Sequence, residues 1–396
     1  MDVREQPTVE STNYQHVAGT LRDEILAGVY DGLKPFPSLT QIMQRFGISR
    51  PSAVRCVAKL KEEGLVKAIK GAGTFVSKQN RKIGLAVPGS ADSEFFVAIM
   101  EGLVANCGRY DMELVVGDPF PKHRRRRAQL AVRLAQYFVN RRVAGVIMQP
   151  VGFYSDAKRA NKIIADTLEK AGIPLVLIDY DIVPSPARSG HDLVSINNFD
   201  AGRRIAEHLV SSGARRIACM RRKLSAESVW TRFAGVEAFV RRDGRAEFGI
   251  IEGEPDDAIA VEAGLQSLRP DAIVCSNDQA AATLAATLSK LGVSIPRDVM
   301  LAGFDDVRVA QAMTPKLTTI HQPCADLAAV AFRTLLERIA KPQLAAREIM
   351  LDAPLVVRES TSPSRDFGGS VPKNSVPKNS VSRCCGVAVD RRNGKW

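Results

Sequence analysis

The chain has 396 residues, 45% hydrophobic and 25% charged, with a formal net charge of +12. That length holds two or three compact units with proper cores. No apolar run approaches ~18 residues, so no membrane span and no membrane partner is expected.

The first residues, MDVREQPTVESTNYQ, show neither the basic start nor the apolar stretch of a secretory leader, so the cytoplasm is the expected location. Cysteine usage agrees: Cys56, Cys107, Cys219, Cys275 and Cys324 lie apart inside apolar patterns, as buried reduced thiols do. Cys384 and Cys385 are adjacent in a polar tail with no histidine at metal-binding spacing, so no metal and no cofactor is expected. The positive charge is concentrated. Residues 43–82 carry ten Lys/Arg against Glu62 and Glu63, and residues 364–396 carry seven against Asp366 and Asp390. A basic block inside a periodic, foldable segment is a polyanion surface; in a Pro/Asn/Ser tail it is a solvated tail.

Val17, Leu21, Ile25 and Leu26 share one helical face over residues 14–29, and the glycines that follow end that helix. Ser38, with Gln41 three positions on, caps a second helix over about Leu39 to Phe46, stopped at Gly47. Ser49, followed by Pro51 and Ser52, opens a third that runs through Val54, Val57 and Leu60 to Gly64. Leu65-Val66, a glycine tip and Thr74-Phe75-Val76 then read as a two-stranded ribbon. Helix, short helix, tight turn, helix and ribbon make a winged helix-turn-helix, whose third helix enters the major groove of double-stranded DNA. Arg50, Arg55, Lys59 and Lys70 supply charge. Ser38, Ser49, Ser52, Thr40 and Thr74 supply small polar side chains, and Gly71 and Gly73 let the tip approach a phosphate chain.

This unit, residues 1–77, resembles the GntR family of bacterial transcription regulators. The resemblance rests on Tyr14, Leu21, Ile25, Gly28, Pro37-Ser38, Phe46-Gly47-Ile48-Ser49-Arg50, Leu60, Glu63-Gly64-Leu65-Val66 and Gly71-x-Gly73-Thr74-Phe75-Val76. It implies that Arg50 contacts a base edge or phosphate and that the wing glycines lie in the minor groove. Two positions depart from the family pattern. Thr40 and Val54 stand where arginines are usual, and Arg55 lies one residue on, about 100° around the helix.

From Arg81 the pattern changes to alternating buried strands and amphipathic helices. Strands are expected at 83–87, 113–116, 145–148, 175–178, 216–220, 272–275 and 300–303. Helices are expected near 94–108, 126–140, 157–171, 200–212, 231–242, 257–267, 278–290 and 325–340. That is α/β with parallel sheets. In such sheets ligands sit beyond the carboxyl ends of the strands. There the sequence places Ser93, Phe95 and Phe96, then Gln149, Asp179 and Asp181. Ser228 and Arg232 follow near a helix start, then Ser276-Asn277-Asp278 and Asp305-Asp306. Carboxylates, an amide and an arginine beside aromatic faces suit a small polyhydroxylated ligand. Taken singly, Asn277-Asp278 reads more readily as an N-cap and Asp305-Asp306 as a helix-capping turn; together at separate strand ends of one sheet face they read as a pocket.

This segment resembles the sensor domains of the LacI/GalR family and, through them, type I periplasmic sugar-binding proteins. The matching motifs include Ile83-Gly-x-x-Val87, Asp200-Ala-Gly202, Arg232-x-x-Gly235, Ser276-Asn277-Asp278-Gln279-Ala280-Ala281, Gly303-Phe-Asp-Asp306 and Leu317-Thr-Thr-Ile320, in family order. The resemblance implies two α/β lobes over 83–362 that close on a sugar or related polyol. Asp179, Arg232, Asn277 and Asp305 would hold its hydroxyls, with Gln149 and Ser228 as lesser contacts, and the helix after Glu94 would be a homodimer face.

The expectation is a ligand-responsive repressor that binds an operator as a dimer, and not an enzyme: nucleophile elbow, P-loop, zincin and dinucleotide motifs are all missing. A sugar-processing enzyme with a basic accessory domain is the alternative. A linker over 78–82 is too short for the hinge of LacI-type proteins, so near-rigid coupling is expected. Residues 363–396, with SVPKN repeated, read as a disordered basic tail.

Overall fold

The computed structural model describes residues 9–26, 29–30, 35–69, 73–76, 82–87, 93–110, 112–117, 127–152 and 155–362. The expected linker, except Lys82, the wing-tip residues Lys70 and Gly71, and the C-terminal tail lie outside the described residues.

The head is built from α1 (Val9–Leu26), α2 (Leu39–Phe46) and α3 (Arg50–Glu62), then β1 (Val66–Ile69) and β2 (Gly73–Val76). Ser38 caps α2 through a capping box: its Oγ accepts from the Gln41 N–H at 3.3 Å, and the Gln41 side chain accepts from the Ser38 N–H at 2.8 Å. Gly47 leaves α2 at φ +62°, a left-handed turn that favours glycine. Ser49 caps α3, with Pro51 in its first turn. The strands pair antiparallel, Val66 opposite Val76 and Ile69 opposite Gly73. Val17, Leu21, Ile42, Cys56, Leu60 and Val76 form the head core.

The body holds two six-stranded sheets. The first consists of β3 (Lys82–Ala86), β4 (Glu113–Gly117), β5 (Gly145–Met148), β6 (Leu175–Ile178), β7 (Asp192–Ile196) and β13 (Glu348–Leu351), in the order β13-β7-β6-β5-β3-β4. The second consists of β8 (Arg216–Arg221), β9 (Glu247–Glu252), β10 (Ala272–Cys275), β11 (Met300–Asp305), β12 (Thr318–His321) and β14 (Leu355–Val356), in the order β14-β12-β11-β10-β8-β9. All these pairs are parallel except the β12–β14 edge.

The helices α4 (Glu94–Arg109), α5 (Arg127–Arg141) and α6 (Ala157–Lys170) precede β4, β5 and β6. α7 (Asn198–Ser211), α8 (Glu227–Asp243), α9 (Ala258–Leu268), α10 (Asp278–Lys290) and α11 (Arg308–Ala312) follow in turn, and α12 (Cys324–Ala340) precedes β13. The chain passes between the sheets after β7, again between β12 and α12, and again between β13 and β14. This is the two-lobed α/β body with parallel sheets that the sequence led us to expect.

One continuous core joins the facing sides of both lobes, from Leu85 and Ile99 through Ile205 and Phe233 to Phe304 and Phe332. Separate clusters pack the far face of each sheet, around Phe138 and Ile164 in one and around Leu284 and Leu301 in the other. The head meets the first lobe at the last turn of α12, where Ile339 and Ala340 pack against the head core and α12 touches α1.

Candidate functional site

Between the lobes, β6 and β11 each run out into an aspartate with left-handed backbone, Asp179 at φ +78° and Asp305 at φ +109°. Non-glycine residues pay of order 1–3 kcal/mol for such angles, and that strain concentrates at functional sites. Arg232 reaches the space between them from α8 and is only 4% exposed. Its Nε donates to Asn198 Oδ1 at 2.8 Å and Nη1 to the Ser276 carbonyl at 2.8 Å. Asp305 Oδ1 lies 3.7 Å from Nη1, and Asp179 Oδ1 lies 4.0 Å from Nη2. The guanidinium also lies 4.7 Å from the centre of the Phe304 ring. One cation is thus held between carboxylates from opposite lobes.

The surroundings of each carboxylate differ. Asp179 Oδ2 accepts from Gln149 Nε2 at 3.2 Å and from Ser228 Oγ at 3.3 Å, while its buried Oδ1 has no hydrogen-bond donor among the described residues. Burial raises the Asp179 pKa, opposed by Arg232 and these two donors. Asp305 Oδ1 accepts from Gln322 Nε2 at 2.7 Å; burial raises its pKa to about 6 against the pull of Arg232. Asp278, wholly buried at the start of α10, accepts from Thr319 Oγ1 at 2.6 Å and from the Val307 N–H at 3.0 Å. Burial and the nearby Asp305 raise it to about 8.

The structure brings Gln149, Asp179, Ser228, Arg232 and Asp305 into contact or near contact. Ser228 and Arg232 sit one turn apart because α8 begins at Glu227, four residues earlier than expected. Asn277 is nearby in sequence, but its Oδ1 is committed to capping α10 through the Ala280 N–H at 2.8 Å. Phe95 is buried in the main core, edge-on to Phe96 with ring centres 4.9 Å apart, and Phe96 is the more open of the two. Asp306 and Asp181 are structural: Asp306 binds Arg358 and His321, and Asp181 binds Arg188. Asn198 and Gln322 were missed, as was the Ser276 carbonyl. Gln322 lies two residues past the recognised Leu317-Thr-Thr-Ile320, a usable signal; a backbone carbonyl leaves none.

The lobes are bridged at their rims. Glu94, first residue of α4, accepts from the Arg308 N–H of the second lobe at 2.7 Å. Glu227, first residue of α8, accepts from the Ser185 N–H of the first lobe at 3.2 Å.

On the head, Arg50, Arg55, Thr40, Ser38 and Ser49 are exposed, Lys59 and Thr74 partly so, and Gly73 stands open at φ +110°. Ser52 differs from the expectation of a phosphate contact. It is nearly buried, with its Oγ 3.0 Å from Ser49 Oγ, because the turn of α3 aims it at the head core. The caps at Ser38 and Ser49 likewise use oxygens otherwise free for phosphate.

A winged-helix head and a two-lobed body with a buried polar cluster at the strand ends are the layout of a ligand-responsive DNA-binding regulator. Residues 13–76 match the gntR family of bacterial regulatory proteins, and residues 206–361 match the periplasmic binding protein-like domain. The chain is similar to a transcriptional repressor: the HTH-type transcriptional repressor PurR of Escherichia coli O1:K1 is 29% identical over 298 residues, 72% of this chain and 82% of that protein. These relatives are regulators rather than enzymes. Among solved structures, a LacI family transcriptional regulator from Enterococcus faecium with bound ribose covers 72% of this chain and all of its own (24% identity, TM-score 0.59). The transcription regulator GntR from Chromobacterium violaceum covers 71% of this chain and 99% of its own (25% identity, TM-score 0.57). A transcriptional regulator CelR–cellobiose complex covers 82% of this chain and all of its own (20% identity, TM-score 0.60).

Proposed function

We propose that the chain is a cytoplasmic repressor that binds operator DNA as a homodimer and is controlled by a sugar or related polyol held between its lobes. The observation that carries this reading is the arrangement at Arg232. A neutral hydroxyl can donate to the unmatched Asp179 Oδ1 and accept from the outer edge of the guanidinium, and an adjacent hydroxyl can repeat this at Asp305. A vicinal diol does both at once. The ligands named in the ribose- and cellobiose-bound structures are of this chemistry.

In this reading Asp179, Arg232 and Asp305 are the main contacts, Gln149 and Ser228 orient Asp179, and Phe96 covers an apolar sugar face. The Asn277 side-chain N–H2 remains available beside its capping oxygen. The head contacts the operator through Arg50, Arg55, Lys59 and the wing around Gly73 and Thr74.

A thermal-shift screen of pentoses, hexoses and disaccharides tests the pocket. At 100-fold excess over Kd a bound sugar adds about 2.7 kcal/mol of stability, a shift of a few degrees. Asp179→Asn should abolish the shift while leaving the unliganded transition within a few degrees. A panel without any response, or a response untouched by Asp179→Asn, sinks the sugar reading.

A further inference from the structure

On the exposed side of α3 the residue types are ordered across the helix. At about 100° per residue, Val54 falls about 40° around from Arg50, Ala58 about 80°, Arg55 about 140° and Lys61 about 20°. All five are exposed, whereas Ser52, Ala53, Cys56, Val57 and Leu60 fill the opposite, buried face. The exposed stripe therefore has Arg50 and Lys61 along one margin and Arg55, with the exposed Glu62 at about 120° beside it, along the other, and Val54 and Ala58 along its centre. Val54 is 46% exposed, a β-branched apolar side chain standing in water on the most cationic stretch of the head.

A helix seated in the major groove meets phosphates at its margins and base edges along its centre. The groove floor offers one apolar feature, the 5-methyl group of thymine. We propose that Val54 is a base-reading residue that packs on a thymine methyl in the operator half-site, with Ala58 leaving room one turn on, while Arg50 and Arg55 grip the flanking strands. The proposal rests on the DNA-binding reading above and adds the chemical feature that the centre of α3 selects. The occupant is the operator duplex of the DNA-binding reading, whose phosphates match the cations at the margins. The lack of any polar atom beyond Cβ at position 54 excludes hydrogen-bond readout there.

The full-length protein is used to select duplexes from a randomised library, and the selected duplex is resynthesised with each thymine replaced in turn by uracil, which removes only the methyl. Affinity is read by fluorescence anisotropy at fixed salt. One replacement per half-site should weaken wild-type binding about fourfold, the worth of one buried methyl. Val54→Ala should bind the thymine duplex more weakly and be indifferent to that replacement. Its salt dependence should be unchanged, since no phosphate contact is lost. Val54 is exposed, so the variant's melting temperature should match wild type. Salt-sensitive binding with no methyl-sensitive position, or a Val54→Ala protein that keeps the full methyl effect, overturns this inference alone. An absence of duplex affinity in the wild type overturns the DNA-binding reading beneath it.

Discussion

Asp305 illustrates how one carboxylate ties the pocket to pH. Its pKa rises to about 6, chiefly through burial, while in the unfolded chain it titrates near the ordinary ~3.9. Between those values the folded protein holds a proton that the unfolded chain has released, so this group makes stability fall as pH rises from about 4 through about 6. Asp278, raised to about 8 by burial and by Asp305, continues the same trend to higher pH. Asp305→Asn keeps an acceptor for Gln322 but removes the charge. The variant should gain stability relative to wild type above pH 6, and its urea midpoint should vary less between pH 4 and 8. Parallel curves for the two proteins would refute this assignment. The site was partly legible in sequence because Asp179 and Asp305 are charged residues at the ends of apolar strands and Arg232 is a charged residue near a helix start beside them. Asn198 was not legible: it holds the charged Arg232, and nothing local marks an amide for that task, whereas Gln322 was marked only by its place just past Leu317-Thr-Thr-Ile320.

Helices α7 and α8 show what the next scale adds. They cross so closely that a Cβ on Gly202 would lie 1.9 Å from the Arg232 carbonyl oxygen, and one on Gly235 would lie 2.0 Å from the Phe199 carbonyl oxygen. Only hydrogen fits at either position, and the contact fixes the helical turn from which Arg232 projects. Gly202→Ala should force the helices apart, costing about 1–3 kcal/mol or more by urea denaturation and abolishing the proposed ligand response through displacement of Arg232. A variant of wild-type stability and response would show that the crossing yields easily. Most body elements were readable, since runs such as Leu175-Val-Leu-Ile178 and Ala272-Ile-Val-Cys275 are wholly apolar and wholly buried. β7 was missed because Asp192 and Ser195 interrupt it. Both are buried and satisfied at long range, Asp192 by Arg338 and Arg347, and Ser195 by the Asp179 carbonyl. The edge strands β13 and β14 are short and half-exposed, and their pairing partners lie far away in sequence.

At the scale of the whole molecule, the rim bridges at Glu94 and Glu227 bear on how the lobes open. Each glutamate opens the helix after the first strand of its own lobe and accepts a backbone N–H from the other lobe. A net hydrogen bond is worth about 1 kcal/mol, so Glu94→Ala or Glu227→Ala should shift the balance toward an open form by about fivefold. Small-angle scattering of the unliganded variants should give a larger radius of gyration than wild type; an unchanged profile for the double variant would rule the bridges out as determinants of closure.

The seating of the head on Ile339 and Ala340 bears on how such proteins are assembled from parts. A fitted joint of this kind makes the DNA-reading unit less interchangeable than a bead on a string. A chimaera that borrows a foreign winged helix inherits a mismatched socket, and restoring the proposed ligand response would require refitting the last turn of α12 along with it.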